Sequence, residues 1–248
     1  MNIAVFGMGV MGQYVREAVE NTDALNFVAG IEPHKEVNED KIYQSLDAVQ
    51  DKIDAIIDFS HFSNIDTVLA YALKNKVALV VATTGFNQEV EDRIKKAGET
   101  IPVLLASNTS LGVNVMVEAL KKLVPMLAED YDIEIIEKHH NRKIDAPSGT
   151  AKTLLETIND SLEEKRELVY GREGIKKREK EEIGVHVVRG GTIVGEHSVI
   201  FAGTDEVIEI KHEAFSRKLF ANGAVKAVKF LLNNNKIGFY TMKDILGL

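Results

Sequence analysis

A short apolar run, Asn2-Ile3-Ala4-Val5-Phe6, leads without a break into Gly7-Met8-Gly9-Val10-Met11-Gly12, and residues 13–21 then carry apolar side chains at helical spacing. Strand, glycine turn and helix in that order make the one context in which a G-x-G-x-x-G pattern has a defined physical job. The first glycine allows a tight turn, the second lets a pyrophosphate approach the backbone, and the third lets helix and strand pack closely. The helix N-terminus brings free N–H groups and partial positive charge to the phosphates. A second apolar stretch, Phe27 to Ile31, ends at Glu32, twenty residues beyond Gly12. A dinucleotide fold places there the carboxylate that binds the adenosine ribose hydroxyls. Without a ligand, the same motif would be only a packing turn. His34 and Lys35 follow closely enough to meet a 2′-phosphate, so the sequence does not rank NADH against NADPH.

The pattern then repeats. Residues 54–60, 77–82 and 101–106 are continuous apolar runs typical of buried parallel strands, and residues 63–75 and 87–98 between them have helical periodicity. Strands alternating with helices at this spacing predict an α/β fold with a doubly wound parallel sheet of Rossmann type. Polar residues gather where the strands end: Ser60, then Ala82-Thr83-Thr84, then Ser107-Asn108-Thr109-Ser110. In such a sheet that edge holds the cofactor; the plainer reading is that each hydroxyl or amide caps a helix.

From 111 onward the character changes. Residues 111–128 predict a helix and 131–136 a strand. Residues 184–189, 192–201 and 207–212 are alternating or β-branched, with Gly190-Gly191 and Gly203-Thr204-Asp205 as turns, which predicts strands paired largely antiparallel. The helix at 220–232 is expected to return to the first sheet. The domain expectation is therefore 1–111 with 217–248 for a dinucleotide-binding domain. Residues 112–216 would form an inserted α+β domain on a mainly antiparallel or mixed sheet, for substrate binding and oligomerisation.

Between strand and helix in this second domain lies Lys138-His139-His140-Asn141-Arg142-Lys143-Ile144-Asp145-Ala146-Pro147-Ser148-Gly149-Thr150-Ala151. Neighbouring residues of a strand face opposite ways, so if the strand continues to them, His139 and His140 have different parts. One can act as a general acid near working pH, while Lys143 adds a fixed charge. Ser148, Gly149 and Thr150 open a helix whose amides favour an anion. Together they describe a site for a small dicarboxylate and a proton. No other His, Cys or acid lies at a recognised ligand spacing, so no metal is expected. Arg189 is either a further guanidinium for the site or a turn residue.

Bulk properties narrow the partners. With 248 residues and a net charge of −8, the chain is long enough for one or two cored domains and lacks the basic footprint of a nucleic-acid binder. The basic run Arg172 to Lys180 is interleaved with acids and reads as a solvated loop or helix face. No apolar run reaches the roughly 20 residues of a membrane span, and Met1 to Gly7 lacks a basic signal-peptide region, so a cytoplasmic protein is expected. There are no cysteines, which removes thiolate and disulfide chemistry.

The stretch Glu137 to Ala151 resembles the motif E-x-H-H-x-x-K-x-D-A-P-S-G-T-A of the 4-hydroxy-tetrahydrodipicolinate (dihydrodipicolinate) reductase family. Support runs over nearly the whole length, through residues 7–12, 82–85, 107–110, Arg189-Gly190-Gly191, 194–197 and 220–224. The resemblance implies an NADH- or NADPH-dependent reductase of the diaminopimelate route to lysine, a homotetramer joined through the second domain's sheet. It further implies His139 as proton donor with Lys143 as catalytic partner, and His140, Gly149 and Thr150 as substrate contacts. Residues 7–12, 82–84 and 107–110 would hold the nucleotide. Two departures touch cofactor choice: the glycine turn is a residue shorter than the common G-x-x-G-x-x-G, and Pro33 stands where many members carry arginine. The alternatives are another two-domain amino-acid dehydrogenase, such as an aspartate or diaminopimelate dehydrogenase, which would need no D-A-P-S-G-T element, or a nucleotide-binding regulator, which would need no proton donor.

Overall fold

The computed structural model describes residues 1–34, 39–234 and 236–247. They divide into two compact units, residues 1–111 with 217–248, and residues 112–216. Among the described residues no helix is long and apolar enough to cross a membrane.

The first unit is built on a seven-stranded sheet whose strand pairs are all parallel. In chain order its elements are β1 (Asn2–Phe6), α1 (Val10–Glu20), β2 (Asn26–Ile31), β3 (Ile42–Tyr43), β4 (Ala55–Asp58), α2 (Ile65–Asn75), β5 (Ala78–Val81), α3 (Gln88–Ala97) and β6 (Pro102–Leu105). The spatial order 3-2-1-4-5-6 is that of a doubly wound dinucleotide fold, with its direction reversing between β1 and β4. Both faces of the sheet are covered, as its unbroken apolar strands require. Ile3 and Val5 belong to one core, while Ala4 and Phe6 belong to the core on the opposite face.

Local sequence explains where the helices start. Asn87 caps α3 by accepting from the Val90 N–H, and Glu89 with Lys95 and Lys96 match the helix dipole at its two ends. The first helix begins at Val10, three residues earlier than its periodicity indicated, because Gly12 is folded into the helix and packed against the turn.

The second unit contains α4 (Leu111–Leu127), β7 (Asp132–His139), α5 (Gly149–Asp160), β8 (Glu167–Tyr170), β9 (Glu182–Arg189), β10 (Gly195–Ala202) and β11 (Val207–Ala214). Its sheet runs β11-β10-β7-β9-β8. The pairs β10–β11 and β10–β7 are antiparallel, whereas β7–β9 and β8–β9 are parallel, so the sheet is mixed. Strands β9 and β10 are consecutive but do not pair; β7 lies between them, and the turn after β9 bonds back to β7 through Gly190 N–H to His139 O and Asn141 N–H to Gly191 O. Met116, Leu120, Leu154 and Ile158 from α4 and α5 pack with Ile133, Ile135, Val185, Val199 and Phe201 on one sheet face.

The basic run is a largely exposed loop between β8 and β9, the solvated loop its interleaved charges implied, and its cations are in addition paired to the sheet. Arg172 pairs with Glu134 and Glu182, Lys176 with Glu182, and Arg178 with Asp132 and Glu134. The partners come mostly from β7, some forty residues away, which is why a local reading missed them.

The chain returns to the first sheet with α6 (Lys218–Asn234), β12 (Gly238–Tyr240) and α7 (Met242–Leu246). Helix α6 buries Ala221, Ala224, Val228 and Leu231 in the core that holds Ile3 and Val5. At Gly223 it meets the backbone of the segment after β6: a Cβ there would lie 1.7 Å from the Thr109 carbonyl oxygen. Gly223→Ala is expected to lower stability by about 2 kcal/mol, the usual scale of overpacking. Urea denaturation checks it, and an unchanged midpoint would contradict this packing.

Candidate active site

Two groups of residues carry chemistry, one in each unit. In the first unit, Gly7 has φ +91° and donates its N–H to Ile31 O at 2.8 Å; a Cβ there would sit 2.7 Å from Ser60 Cα. At Gly12 a Cβ would lie 2.0 Å from the Gly7 carbonyl oxygen. These two positions exclude side chains for the turn's own sake. Gly9 differs: a Cβ there meets nothing within 4 Å, and no side chain caps α1 at this residue. The helix N-terminus is thus open to a phosphate. Met8 is buried against Gly30 and leaves only its backbone to the turn, while Val10 is exposed.

A cavity of about 290 Å³ lies at the strand ends, lined by Met11, Phe59, Ala82, Thr84, Ser107 and Asn108. Thr109, Arg217 and Phe220 complete it; the last two were not among the predicted site residues, because they come from the start of the returning helix. Thr83 is buried beneath this edge. Its hydroxyl donates to Asp58 Oδ2 at 2.9 Å and accepts from Ser60 N–H at 3.0 Å. Burial pushes the Asp58 carboxyl above its ordinary range, against the Ser60 and Thr83 hydrogen bonds that lower it. Thr109 Oγ1 donates to Phe220 O at 2.7 Å, and Asn108 Oδ1 accepts from the Ser110 N–H. The side chains of Thr83 and Thr109 therefore brace the edge, and Thr84, Ser107 and Asn108 face its cavity. Glu32 is half-buried just after β2, where its N–H donates to Tyr43 O. Lys35 lies outside the described residues.

In the second unit the apolar stripe of β7 turns polar at its C-terminal end. Ile133 and Ile135 are core residues; Glu137 and His139 continue the same side of the strand. Register places Arg189 of β9 opposite His139, and His197 of β10 opposite Glu137. The strand ends at His139, and His140 follows it.

Glu137 is fully buried, yet it gathers four donors. His139 Nδ1 lies 2.6 Å from Oε2, Arg189 reaches Oε2 and Oε1 at 2.8 Å each, and the Ser148 N–H donates to Oε1 at 2.9 Å. Burial pushes the Glu137 carboxyl up, but the bonds from Arg189, His139 and Ser148 outweigh it and leave the pKa below the usual value. Arg189 also donates to Asp145 O at 2.7 Å, which ties down the loop carrying Lys143. Lys143 pairs with the exposed Asp145 at 2.7 Å.

Ser148 caps α5, its Oγ accepting from the Ala151 N–H, and the same oxygen is 2.9 Å from His197 Nε2. Its hydroxyl is therefore engaged in building the site, whereas Gly149 is exposed and Thr150 half-exposed at the head of the helix. The His139 and His197 rings meet edge to face at 5.2 Å. Burial, reinforced by His139, pushes His197 down to about 4. Glu137 and His197 were absent from the predicted site, while Arg189 was one of two open readings there, a guanidinium for the site or a turn residue. A signal for Glu137 was available, since it stands two residues from His139 and so shares its face of the strand. Among the described residues, no group of three or more His, Asp or Glu side chains is arranged to hold a metal.

His197 sets a pH dependence of stability. Its folded pKa lies below the ordinary 6.5, so the unfolded chain takes up the proton first as pH falls. The stabilisation is complete above about pH 6.5 and is lost towards pH 4, on the order of 3 kcal/mol in total. His197→Gln should flatten the fall in urea-unfolding free energy over that window; parallel curves for the two proteins would contradict a buried neutral imidazole.

Residues 1–109 match the family model described as dihydrodipicolinate reductase, N-terminus, and residues 112–246 the one described as dihydrodipicolinate reductase, C-terminus. A protein of Brachyspira hyodysenteriae named 4-hydroxy-tetrahydrodipicolinate reductase is 46% identical over 246 residues, spanning 99% of this chain and 100% of its own. The protein of the same name from Exiguobacterium sibiricum is 47% identical, spanning 99% and 96%. Among solved structures, a dipicolinate-bound dihydrodipicolinate reductase from Paenisporosarcina is similar in fold, with TM-score 0.79, 22% identity and 97% of both chains covered.

Proposed function

Because the chain belongs to the dihydrodipicolinate reductase family, we propose that His139 donates the proton of its reaction and Lys143 steadies the negative charge of the substrate. The reaction is the NADH- or NADPH-dependent reduction of 4-hydroxy-tetrahydrodipicolinate to tetrahydrodipicolinate in the diaminopimelate route of lysine biosynthesis. Net, the ring hydroxyl leaves as water, a hydride takes its place and one proton is consumed.

The residues of the first unit fit the nucleotide. The open backbone at Gly9 suits a pyrophosphate, Glu32 a ribose, and the cavity edge at Ala82, Thr84, Ser107 and Asn108 the nicotinamide. Bound there, the reduced nucleotide supplies the hydride. Residues Met8, Val10, Met11 and Gly12 shape the turn, and Thr83, Thr109 and Ser110 hold the edge in place. In the second unit the substrate is a small dicarboxylate. Lys143 and the helix head at Gly149 and Thr150 receive its carboxylates, with His140 as a further contact, while Ser148 braces that helix head. A fixed cation and aligned amides act most strongly where charge builds up in the transition state.

The observation that carries this reading is His139 bonded through Nδ1 to the ionised Glu137, with Lys143 four residues on in the loop that Arg189 ties down. His139→Gln should lower kcat by ~10²-fold or more while nucleotide affinity is kept, the usual scale for a general acid. Unchanged kcat would remove His139 from this role. Lys143→Ala should lower kcat and raise the KM for the substrate; normal kinetics would exclude it from the site.

The enzyme works as a cytoplasmic homotetramer joined through the sheet of the second unit. Supporting this, Val188 and Val207 lie on the sheet face away from α4 and α5, at 42% and 64% exposure, the same face as Ile136 and Ile200 and in register with Lys138 and Ala202. Light scattering on the purified protein should read the tetramer mass, and a monomer mass would exclude this assembly.

A further inference from the structure

We propose that Glu137, locked by Arg189, is the positioning residue that fixes His139 with its proton on Nδ1 and makes Nε2 the atom that delivers to substrate. This rests on His139 being the proton donor. Glu137 is bounded by the hydrogen-bonding capacity of a carboxylate. Its two oxygens offer about four lone-pair sites, and in Glu137 all four are taken: His139 and Arg189 on Oε2, Arg189 and the Ser148 N–H on Oε1. Arg189 does not lose its proton in proteins. Glu137 therefore has no room to receive a proton of its own, and it stays an anion through each cycle of His139. Nδ1 keeps its hydrogen on this anion, and the exchangeable proton travels by Nε2.

Three neighbours fit the same assignment. Gly195 lies beside Nε2, and a Cβ there would come within 3.1 Å of it, so the glycine keeps that nitrogen clear. The charged and titratable groups around the ring are Glu137 from its own strand, Arg189 from β9, His197 from β10, and Lys143 with Asp145 from the following loop. Of these, His197 is kept uncharged by its burial, so it does not oppose a proton on His139. Arg189 and Lys143 are already paired with Glu137 and Asp145. The plain alternative is that Glu137 and Arg189 form a buried ion pair that ties β7 to β9 and nothing more.

Two measurements separate these. The first uses the unaltered protein labelled with ¹⁵N-histidine, its His139 signals assigned by their loss in His139→Gln. At high pH the ring should be the Nδ1–H tautomer, the one free histidine disfavours; an Nε2–H tautomer would overturn the proposal. The second is the pH profile of kcat. In Glu137→Gln, and in the charge-balanced double variant Glu137→Gln with Arg189→Met, the alkaline limb should move down by about one pH unit or more, as for an ionisable group that loses an adjacent opposite charge. The KM for the nucleotide should stay where it was. A limb left in place, with only stability reduced, would make Glu137 structural and overturn the proposal. Unchanged kcat in His139→Gln would instead remove the reading on which it rests, so the two failures are distinct.

Discussion

A carboxylate buried out of reach of water carries a heavy desolvation cost, and Glu137 is such a group. The protein keeps it ionised by bringing donors from three separate segments to its two oxygens: the end of β7 itself, the end of β9, and the head of α5. Removing Arg189 leaves an uncompensated charge, which typically costs about 3–5 kcal/mol when the pair is buried. That demand constrains much of the second unit. β7 and β9 must be parallel and in the register that sets Arg189 opposite His139. The loop between β7 and α5 must pass where Asp145 O can accept from the same guanidinium.

The two units treat negative charge differently. In the first, glycines clear space that leaves the backbone amides at the start of α1 open, and buried threonines brace the strand ends. In the second, fixed side-chain charge dominates: Arg189 faces inward on Glu137, and Lys143 lies half-buried beside Asp145. Amides and shape suit a phosphate ester that is held in one place. Fixed cations and an imidazole suit a substrate that changes charge as it reacts.

Much of the first unit was legible because its signals are local. Gly7 is required by its own positive φ and Gly12 by a clash with the Gly7 carbonyl five residues back, and the unbroken apolar strands identify a parallel sheet buried on both faces. The short strands β3 and β8 went unseen, since runs of two and four residues carry too little pattern to be read. In the second unit the histidines and Lys143 were legible from their clustering, but the cluster's organisation was not. Arg189 and His197 reach Glu137 only through the pairing of β7 with β9 and β10, and that register is set by partners forty to sixty residues away. The basic run from Arg172 was legible as a solvated loop, but its ion pairs to the sheet were not, for the same reason. Its counter-charges, Asp132 and Glu134, are distant in sequence and adjacent in the sheet.

The most direct test of the account is turnover by the unaltered protein. The substrate would be generated enzymatically in the presence of NADH, and separately of NADPH, while the absorbance of the reduced nicotinamide is followed. The account predicts a substrate-dependent loss of absorbance with at least one nucleotide, and the ratio of kcat/KM values ranks the two at the Glu32 end of the site. A protein that binds the nucleotide but consumes none when the substrate is supplied would contradict it.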